Sequence, residues 1–209
     1  MDLASLGIDH LGVTPSTRGL PGEISIDMAR SICNAVKETV VTVALSVENN
    51  PTEILSMVEE VQPKILHLCG PENLSTPKLV NDMKTMLGNK VGNIKIMKAV
   101  SIKGHESIDL ALEYSKVADY LILDTQSTDV YGIGASGSTH DWDISKKIVE
   151  TSNIPVILAG GLSPKNVSEA IQHVKPWGVD SLTHTNKPLN NGRFRKDVEK
   201  VKDFVSASR

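Results

Sequence analysis

The sequence has few aromatic residues and few cysteines, and each shortage excludes a class of protein. Phe, Trp and Tyr make up 3% of the 209 residues, so Val, Ile, Leu, Ala and Met must fill the core. Such an aliphatic core suits a parallel sheet that is covered by helices. The two cysteines, Cys33 and Cys69, are too few for a disulfide framework, and a cytoplasmic location is therefore expected.

Long apolar runs and clusters of positive charge are also missing. The chain has no stretch of about 18 apolar residues, and its first residues, Met1-Asp-Leu-Ala-Ser, include no basic region. The formal net charge is −3, and no basic cluster stands out. The sequence therefore predicts neither export nor a membrane span, and it indicates no nucleic-acid partner.

Short aliphatic runs alternate with segments of helical period, and the runs start every 24 to 36 residues. This is the spacing of βα units. Ser25 and Asn50 are predicted helix N-caps, and Pro164 is predicted at the first position of a helix. The seven predicted strands are 8–13, 40–45, 65–68, 94–99, 119–123, 155–158 and 179–182. The predicted helices are 26–36, 51–61, 75–87, 107–117, 143–151, 164–174 and 196–207.

Repeated βα units predict an all-parallel sheet, either open and doubly wound or closed into a barrel. A dinucleotide-binding fold would carry G-x-G-x-x-G after its first strand, and Gly12-Val-Thr-Pro-Ser-Thr-Arg18 lacks that pattern. The glycine-rich stretches lie late in the chain, which favours a TIM-type (β/α)8 barrel. Residues 1–7 are too few for a further strand and helix. We therefore expect one barrel domain over residues 1–209 that lacks strand one, or a chain that begins inside the ancestral barrel.

Asp124 ends the apolar run 120–123 and precedes the glycine-rich stretch 131–137. Barrel enzymes keep acids and bases at the carboxyl ends of buried parallel strands, under loops. A helix cap or a loop tie is the structural alternative for such a residue. Asp124 is therefore a candidate catalytic residue.

Gly160 and Gly161 end a second buried run, which begins at Ile154. Glycines allow backbone N–H groups to approach an anion closely. If strand one is missing, the strands before Gly160 and Thr183 become the seventh and eighth, whose loops bind phosphate in many barrels. A phosphate site is therefore predicted here, with a tight βα turn as the alternative.

Four other side chains lie near predicted strand ends. Arg18 could bind a carboxylate or phosphate through two parallel hydrogen bonds, or be a solvated loop residue. Period-two alternation places His67 and Cys69 on the same side of their strand, where Cys69 could act as a base or nucleophile if its pKa were lowered. Lys98 could form a Schiff base inside the barrel, pair with Asp124 or bind phosphate. No H-x-H on a predicted strand and no H-E-x-x-H occurs, so no metal is predicted.

Several segments share the pattern of one known family. They are Ile96-Met-Lys-Ala-Val100, Leu121-Ile-Leu-Asp-Thr125, Gly132-Ile-Gly-Ala-Ser-Gly137 with His140-Asp-Trp142, Leu158-Ala-Gly-Gly-Leu-Ser-Pro-Lys-Asn-Val167 and Val174-Lys-Pro-Trp-Gly-Val-Asp180. On these segments the chain resembles phosphoribosylanthranilate isomerase, a (β/α)8 enzyme of tryptophan biosynthesis. The resemblance covers nearly the whole chain, and its last segment is the most specific.

The resemblance implies a cofactor-free Amadori rearrangement of a small phosphorylated sugar substrate. A general acid protonates the ring oxygen of a phosphoribosylamine, and a general base removes the C2′ proton. By resemblance Asp124 is the acid, Arg18 is a substrate clamp and Asp180 is a substrate-side carboxylate. The complete set of predicted site residues is Asp124 and Cys69 for catalysis, Arg18, His67, Lys98 and Asp180 for the substrate, and Gly160, Gly161, Thr183 and His184 for phosphate.

The chain also departs from the family at several places, one of which is the extra residues that follow Arg18, through Gly22-Glu23. The family's base is a cysteine in a Lys-x-Cys-Gly stretch on strand one, and this sequence contains no such stretch. The usual Gln-Leu-His-Gly reads His67-Leu-Cys69-Gly70 here. His184 replaces a glycine of the expected phosphate loop, which adds bulk there.

The leading hypothesis is an isomerase that acts on phosphoribosylanthranilate. One alternative is a repurposed relative in which Cys69, His67 or His184 transfers the proton on another phosphosugar. Another is a non-catalytic barrel that binds a phosphometabolite or a protein. Because a barrel without strand one exposes two strand edges, a homodimer or a filled gap is also expected.

Overall fold

The computed structural model describes residues 3–125, 131–134, 137–190 and 193–209. Within these residues eight strands form one parallel sheet, in the order β2-β1-β3-β4-β5-β6-β7-β8. The strands are β1 (His10–Pro15), β2 (Glu23–Ile24), β3 (Val41–Ser46), β4 (Ile65–Leu68), β5 (Lys95–Ser101), β6 (Tyr120–Asp124), β7 (Val156–Leu158) and β8 (Gly178–Val179). All seven predicted strands are present, and the parallel TIM-type α/β fold is confirmed. The two-residue strand β2 was missed because it is too short to show a pattern.

Helices connect the strands and cover the outer face of the sheet. They are α1 (Ile26–Val36), α2 (Pro51–Val61), α3 (Pro77–Lys90), α4 (Glu106–Ser115), α5 (Trp142–Thr151), α6 (Val167–Val174) and α7 (Val198–Ala207). A short antiparallel hairpin of β9 (Asn186–Pro188) and β10 (Phe194–Lys196) precedes α7, and the sequence reading missed it. None of the described helices is both long and apolar enough to cross a membrane.

Capping side chains set where the helices begin. Ser25 accepts a hydrogen bond from the N–H of Met28, and Asn50 accepts one from Thr52, so both predicted N-caps are confirmed. The prediction that a helix begins at Pro164 is wrong. The Asn166 carboxamide accepts the N–H of Ser163 at 2.7 Å, and this turn delays the helix to Val167.

Alternate residues of each strand face two different apolar layers. The inner layer lies inside the curled sheet and includes Val43, Ile65, Met97, Ile122 and Ile157. The outer layer lies between sheet and helices and includes Ala44, Leu66, Ile96, Leu121 and Leu158. The larger outer layer holds the helices onto the sheet, whereas the inner layer leaves space unfilled.

The sheet does not close on itself within the described residues, since β8 pairs only with β7. The rings of His10 on β1 and Trp177 before β8 meet across this opening, with centroids 5.8 Å apart. Phe204 of α7 lines the interior beside the opening, and the Arg209 guanidinium donates to the carbonyl of Gly7 at 2.8 Å. The C-terminal helix and the N-terminal segment therefore cover part of the gap.

Lys98 lies in the outer layer and not inside the barrel, which corrects its prediction as a substrate-binding residue. Its neighbours Met97 and Ala99 occupy the inner layer, so alternation turns Lys98 toward the helices. The ammonium lies 5.0 Å from the ring centroid of the buried Tyr114 and donates to the carbonyl of Leu68 at 3.4 Å. Burial lowers the pKa of Lys98 from 10.5 to about 8.

Replacing Lys98 with Met is expected to raise the free energy of unfolding at pH 7 by about 1–3 kcal/mol. The pKa of Lys98 is lowered in the folded chain, so the unfolded chain binds more protons between pH 8 and 10.5. The free energy of unfolding of the unmodified protein should therefore include a contribution that rises between pH 8 and 10.5. Lys98→Met should lack this contribution. Denaturant unfolding at several pH values measures both effects. The exposed substitution Lys37→Met is the control, and an unchanged pH slope in Lys98→Met would contradict the assignment.

Candidate active site

Asp124 is the carboxylate at the end of β6. Its Oδ1 accepts the N–H of Thr125 at 2.7 Å, and the side chain faces the interior of the sheet. Burial raises the pKa of Asp124 to about 7, with a contribution from the negative charge of Asp180 and against the Thr125 hydrogen bond. Near neutral pH this carboxyl therefore exists in both its acid and its base form, as a general acid requires.

A chain of polar contacts fixes the loop that follows Asp124. The Thr125 hydroxyl donates to the carbonyl of Ser138 at 2.8 Å, so its 3.2 Å contact with His140 Nδ1 makes that nitrogen the donor. His140 Nε2 then accepts the hydroxyl of Ser145 at 2.7 Å. Burial lowers the pKa of His140 to about 4, which keeps the ring neutral. The chain holds residues 137–140 against the strand end that carries Asp124.

Gly160 and Gly161 follow β7 with φ angles of +78° and +63°. A Cβ on Gly160 would lie 3.1 Å from the Asp124 carboxylate, and one on Gly161 would lie 2.6 Å from the backbone of Ser138. Only glycine combines this backbone conformation with so close an approach. The turn therefore brings bare backbone beside Asp124, as a phosphate cradle requires.

The predicted phosphate residues line one small pocket of about 20 Å³, with space for about one water molecule. His184 narrows it, because its Nε2 lies 2.9 Å from the carbonyl of Gly137 and joins the loops after β6 and β8. The pocket is lined by Asp124, Gly137, Gly160, Gly161, Leu162, Asp180, Ser181, Leu182, Thr183 and His184. The structure thus brings together all four predicted phosphate residues and both predicted carboxylates.

A second cavity of about 700 Å³ occupies the interior and the opening of the sheet. Asp124 and Asp180 line both cavities and so lie where they meet. The size lies within the range of small-molecule sites, about 300–1,000 Å³. His67 and Cys69 both line this cavity, which confirms that they share the inner side of β4.

The surroundings of Cys69 and His67 suppress their proton chemistry. The Cys69 thiol donates to the carbonyl of Ser46 at 3.4 Å, and burial raises its pKa to about 12. The prediction of a catalytic thiolate required a lowered pKa, and the structure gives the opposite. Burial, with the nearby charge of Lys98, lowers the pKa of His67 to about 3. His67 is 8% exposed, and within the described residues its Nε2 has no hydrogen-bond partner.

Arg18 lies outside the residues that line the two cavities. Its guanidinium donates to Glu48 at 2.7 Å, and its side chain is 49% exposed. Burial raises the pKa of Glu48, and Arg18 opposes that shift. The clamp role of Arg18 therefore stays a prediction, and it requires exchange of Glu48 for a substrate anion.

The sequence reading missed Lys196, a cation on β10 that lines the large cavity. Its ammonium donates to the carbonyls of Ser181 and Leu182, each at 3.1 Å, and to the hydroxyl of Thr185 at 2.7 Å. These bonds attach the hairpin to the loop after β8. No sequence pattern predicts this contact, because the hairpin strands have only three residues each.

His10 is the second missed residue, and it lies across the opening from β8. It lines the large cavity together with Asp180. Burial raises the pKa of Asp180, while the charges of Lys196 and His10 lower it. The sequence could have indicated the position of His10, because alternation in the predicted strand 8–13 places His10 and Gly12 on the same side.

Among the described residues, no group of three or more His, Cys, Asp or Glu could hold a metal ion.

The family described as N-(5′-phosphoribosyl)anthranilate (PRA) isomerase matches residues 15–207. The chain belongs to this family of isomerases. The N-(5′-phosphoribosyl)anthranilate isomerase of Methanocella arvoryzae is 32% identical over 203 residues, which are 97% of this chain and 89% of the relative.

Solved structures of phosphoribosylanthranilate isomerases share the fold. The enzyme from Thermotoga maritima superposes with a TM-score of 0.80 at 26% identity, over 99% of this chain and 90% of that one. That enzyme is described as dimeric. Another isomerase structure holds reduced 1-(o-carboxyphenylamino)-1-deoxyribulose 5-phosphate, and its TM-score is 0.76 at 24% identity, over 99% of this chain and 90% of that chain.

Replacing Gly161 with Ala is expected to lower the free energy of unfolding by about 1–3 kcal/mol. The residue has φ +63°, and its added Cβ would meet the Ser138 backbone at 2.6 Å. Gly178→Ala is the control, because its Cβ would lie 3.6 Å from Ile157 in ordinary contact. Denaturant unfolding of the two variants measures the difference, and equal stabilities would rule out the crowded turn.

Proposed function

We propose that this chain converts phosphoribosylanthranilate to its ketose isomer, with Asp124 as the general acid. The observation that carries the proposal is the position of Asp124. It lies where a small glycine-lined pocket meets a cavity of about 700 Å³, and its pKa is raised to about 7. Family membership supplies the reaction class, isomerisation of phosphoribosylanthranilate, and we infer that it proceeds without a cofactor.

The two cavities suggest how the substrate binds. The phosphate binds beside Gly160, Gly161 and Thr183, where the small pocket must widen beyond its volume of about 20 Å³, and the anthranilate ring takes the larger, mostly aliphatic cavity. The raised pKa values of Asp124 and Asp180 reduce repulsion between these carboxyls and the phosphate. Arg18 exchanges Glu48 for the anthranilate carboxylate at the rim of the site.

The proposed reaction opens the sugar ring before it removes the proton from C2′. Asp124 gives its proton to the ring oxygen, the C1′–O bond breaks with its electron pair on oxygen, and the nitrogen lone pair forms C1′=N. Loss of the C2′ proton then sends the C2′–H electron pair into a C1′=C2′ double bond, and the electron pair of C1′=N returns to nitrogen. Protonation at C1′ and loss of the C2′ hydroxyl proton complete the ketone. Asp124 thus performs the first step, and a base is needed for the second.

Asp124→Asn is expected to lower kcat by about 10²–10⁴-fold, because the amide cannot protonate the ring oxygen. For the unmodified protein, kcat/KM should decline above about pH 7, since the acid form of Asp124 is lost as its pKa is passed. A fluorescence assay of substrate loss measures both. The exposed Asp109→Asn is the control. Full activity of Asp124→Asn would contradict the proposal. So would failure of the unmodified gene to rescue a tryptophan auxotroph that lacks the isomerase.

His184→Gly is expected to strengthen binding of inorganic phosphate severalfold, because the ring of His184 narrows the glycine-lined pocket. Equilibrium dialysis with phosphate measures the dissociation constant. His105→Gly is the control, since His105 is an exposed N-cap residue without a side-chain cap bond. Weaker binding in His184→Gly would instead identify His184 as a phosphate ligand.

A second candidate function within the same barrel is isomerisation of another phosphosugar, because the sequence departs from the family pattern at His67, Cys69 and His184. Conversion of a different phosphoribosylamine, without conversion of phosphoribosylanthranilate, would select this candidate.

We also propose that residues 1–209 form one barrel domain that works in the cytoplasm without nucleic acid. Two free cysteines and a net charge of −3 support this assignment. Within the described residues β8 pairs only with β7, and this unpaired edge supports a homodimer; the Thermotoga maritima relative is described as dimeric. Sedimentation at micromolar concentration measures the oligomeric state.

A further inference from the structure

The residue after Asp124 determines how the carboxyl of this acid is held. Pairing of β5 with β6 ends at Ser101 and Asp124, so Thr125 lies beyond the strand ladder. The backbone N–H of Thr125 donates to Oδ1 of Asp124 at 2.7 Å. The orientation of this N–H, and with it that of the carboxyl, therefore depends on the contacts that hold Thr125.

Two side-chain contacts hold Thr125. Its hydroxyl donates to the carbonyl of Ser138 at 2.8 Å and lies 3.2 Å from Nδ1 of His140. Because the hydroxyl has a single proton, Nδ1 of His140 supplies the hydrogen of the second contact. Nε2 of His140 lies 2.7 Å from the hydroxyl of Ser145, which is fully buried on α5. His140 therefore joins the end of β6 to α5 through both of its ring nitrogens.

The turn after β7 shows how closely these groups are packed. A Cβ added to Gly160 would lie 2.7 Å from the hydroxyl oxygen of Thr125 and 3.0 Å from Nδ1 of His140. The same point lies 3.1 Å from Oδ1 of Asp124. The hydroxyl, the imidazole and the carboxyl thus surround one point beside the glycine turn, and they form a single cluster.

The anchoring of Oδ1 decides which oxygen of Asp124 carries the acid proton. The N–H bond stabilises negative charge on Oδ1 and makes it the weaker base, so the proton of the neutral carboxyl lies on Oδ2. Oδ2 lies beside the bare backbone of Gly134, where an added Cβ would be 2.5 Å away. Gly134 lines the large cavity. The proton is therefore presented toward the ligand cavity.

His140 does not contact a ligand itself. Among the described residues that line the two cavities, neither Thr125 nor His140 occurs. Both ring nitrogens have hydrogen-bond partners. Burial, against the charge of Asp141, lowers the pKa of His140 to about 4, so the ring is neutral at pH 7. The ring can therefore orient the residues around it, but it is not placed to exchange a proton with a substrate.

We propose that His140 is a positioning residue for the acid: through the hydroxyl of Thr125 it holds the Thr125 N–H on Oδ1 of Asp124, so that Oδ2 presents its proton to the ligand. This inference rests on the proposed function, in which Asp124 is the general acid. Loss of the imidazole should leave substrate binding intact and slow the protonation of the ring oxygen.

The same loss should change the proton affinity of Asp124. The Thr125 N–H lowers the pKa of Asp124 against the effect of burial, so weakening of this bond raises that pKa further. The other titratable groups that face Asp124 include Asp180 after β8 and Cys69 after β4. Both stay in place when His140 is replaced.

The test compares His140→Phe, which keeps a ring without nitrogens, with Thr125→Val, which keeps the backbone N–H without the hydroxyl. Each should lower kcat by about 10–100-fold and change KM by less than about threefold, because a misplaced acid slows the chemical step without loss of a binding contact. The decline of kcat/KM should move to higher pH in both. The double variant should be no slower than the slower single variant, since both changes act on one contact.

The carboxyl carbon of Asp124 gives a second readout that needs no turnover. Its ¹³C signal, titrated by NMR without substrate, should show a higher pKa in His140→Phe and Thr125→Val than in the unmodified protein. His140→Asn, whose amide can donate in place of Nδ1, should restore part of the rate and of the pKa. The control is His173→Phe, which removes a 2.7 Å contact with Asp143 of α5 and should change neither.

The outcomes separate this inference from the proposed function. Slower turnover of His140→Phe with an unmoved pKa of Asp124 would mean a purely structural role, and an unchanged rate would mean none; either result overturns the inference. If the unmodified protein does not convert phosphoribosylanthranilate, the proposed function fails, and the ¹³C titration still decides whether His140 holds the carboxyl. A thermal melt checks each fold, and Thr125→Val with His140→Asn decides the question if His140→Phe does not fold.

Discussion

The parallel register of β6, β7 and β8 is the constraint on which the site depends. Leu123 pairs with Leu158, and Leu158 pairs with Val179, so the three strands end at one level. The N–H of Ala159 donates to the carbonyl of Leu123, and the N–H of Asp180 donates to that of Leu158. Asp124, the glycine turn and Asp180 are neighbours for this reason alone. A slip of one residue would turn the two carboxylates away from the cavity.

Burial shifts the pKa values of Asp124 and Asp180 at this edge of the sheet. Burial raises the pKa of both Asp124 and Asp180, and the charge of Asp180 adds to the shift of Asp124. A single backbone N–H on Asp124 opposes the shift only in part. The pKa of Asp124 therefore lies near neutral pH, which is the condition under which a carboxyl donates a proton efficiently. The neutral His140 supports this state without adding a charge.

The sequence predicted the elements that repeat and missed those that do not. Seven strands and the caps at Ser25 and Asn50 follow from periodicity and local hydrogen bonding, which act over a few residues. Asp124 and the glycine turn were found because strand ends of a parallel sheet meet at one edge. The hairpin of β9 and β10 and the position of Lys196 depend on contacts between distant segments.

Lys98 shows a different limit of sequence reading. Its segment matches the family, but a lysine in an apolar strand can face either layer, and only the alternation relative to Met97 decides which. Cys69 shows the same limit for reactivity. Its side of the strand was readable, whereas its raised pKa comes from atoms on other elements.

The outer apolar layer stabilises the fold, whereas the inner apolar layer borders the large cavity. The outer layer contains Leu66, Ile96 and Leu121, all fully buried, and it fixes the strand register without touching the cavity. The inner layer is smaller, and a cavity of about 700 Å³ lies beside it. Space that an ordinary core would fill is thus left for a ligand, at the expense of packing energy. The opening beside β1 extends that space to the ring of His10.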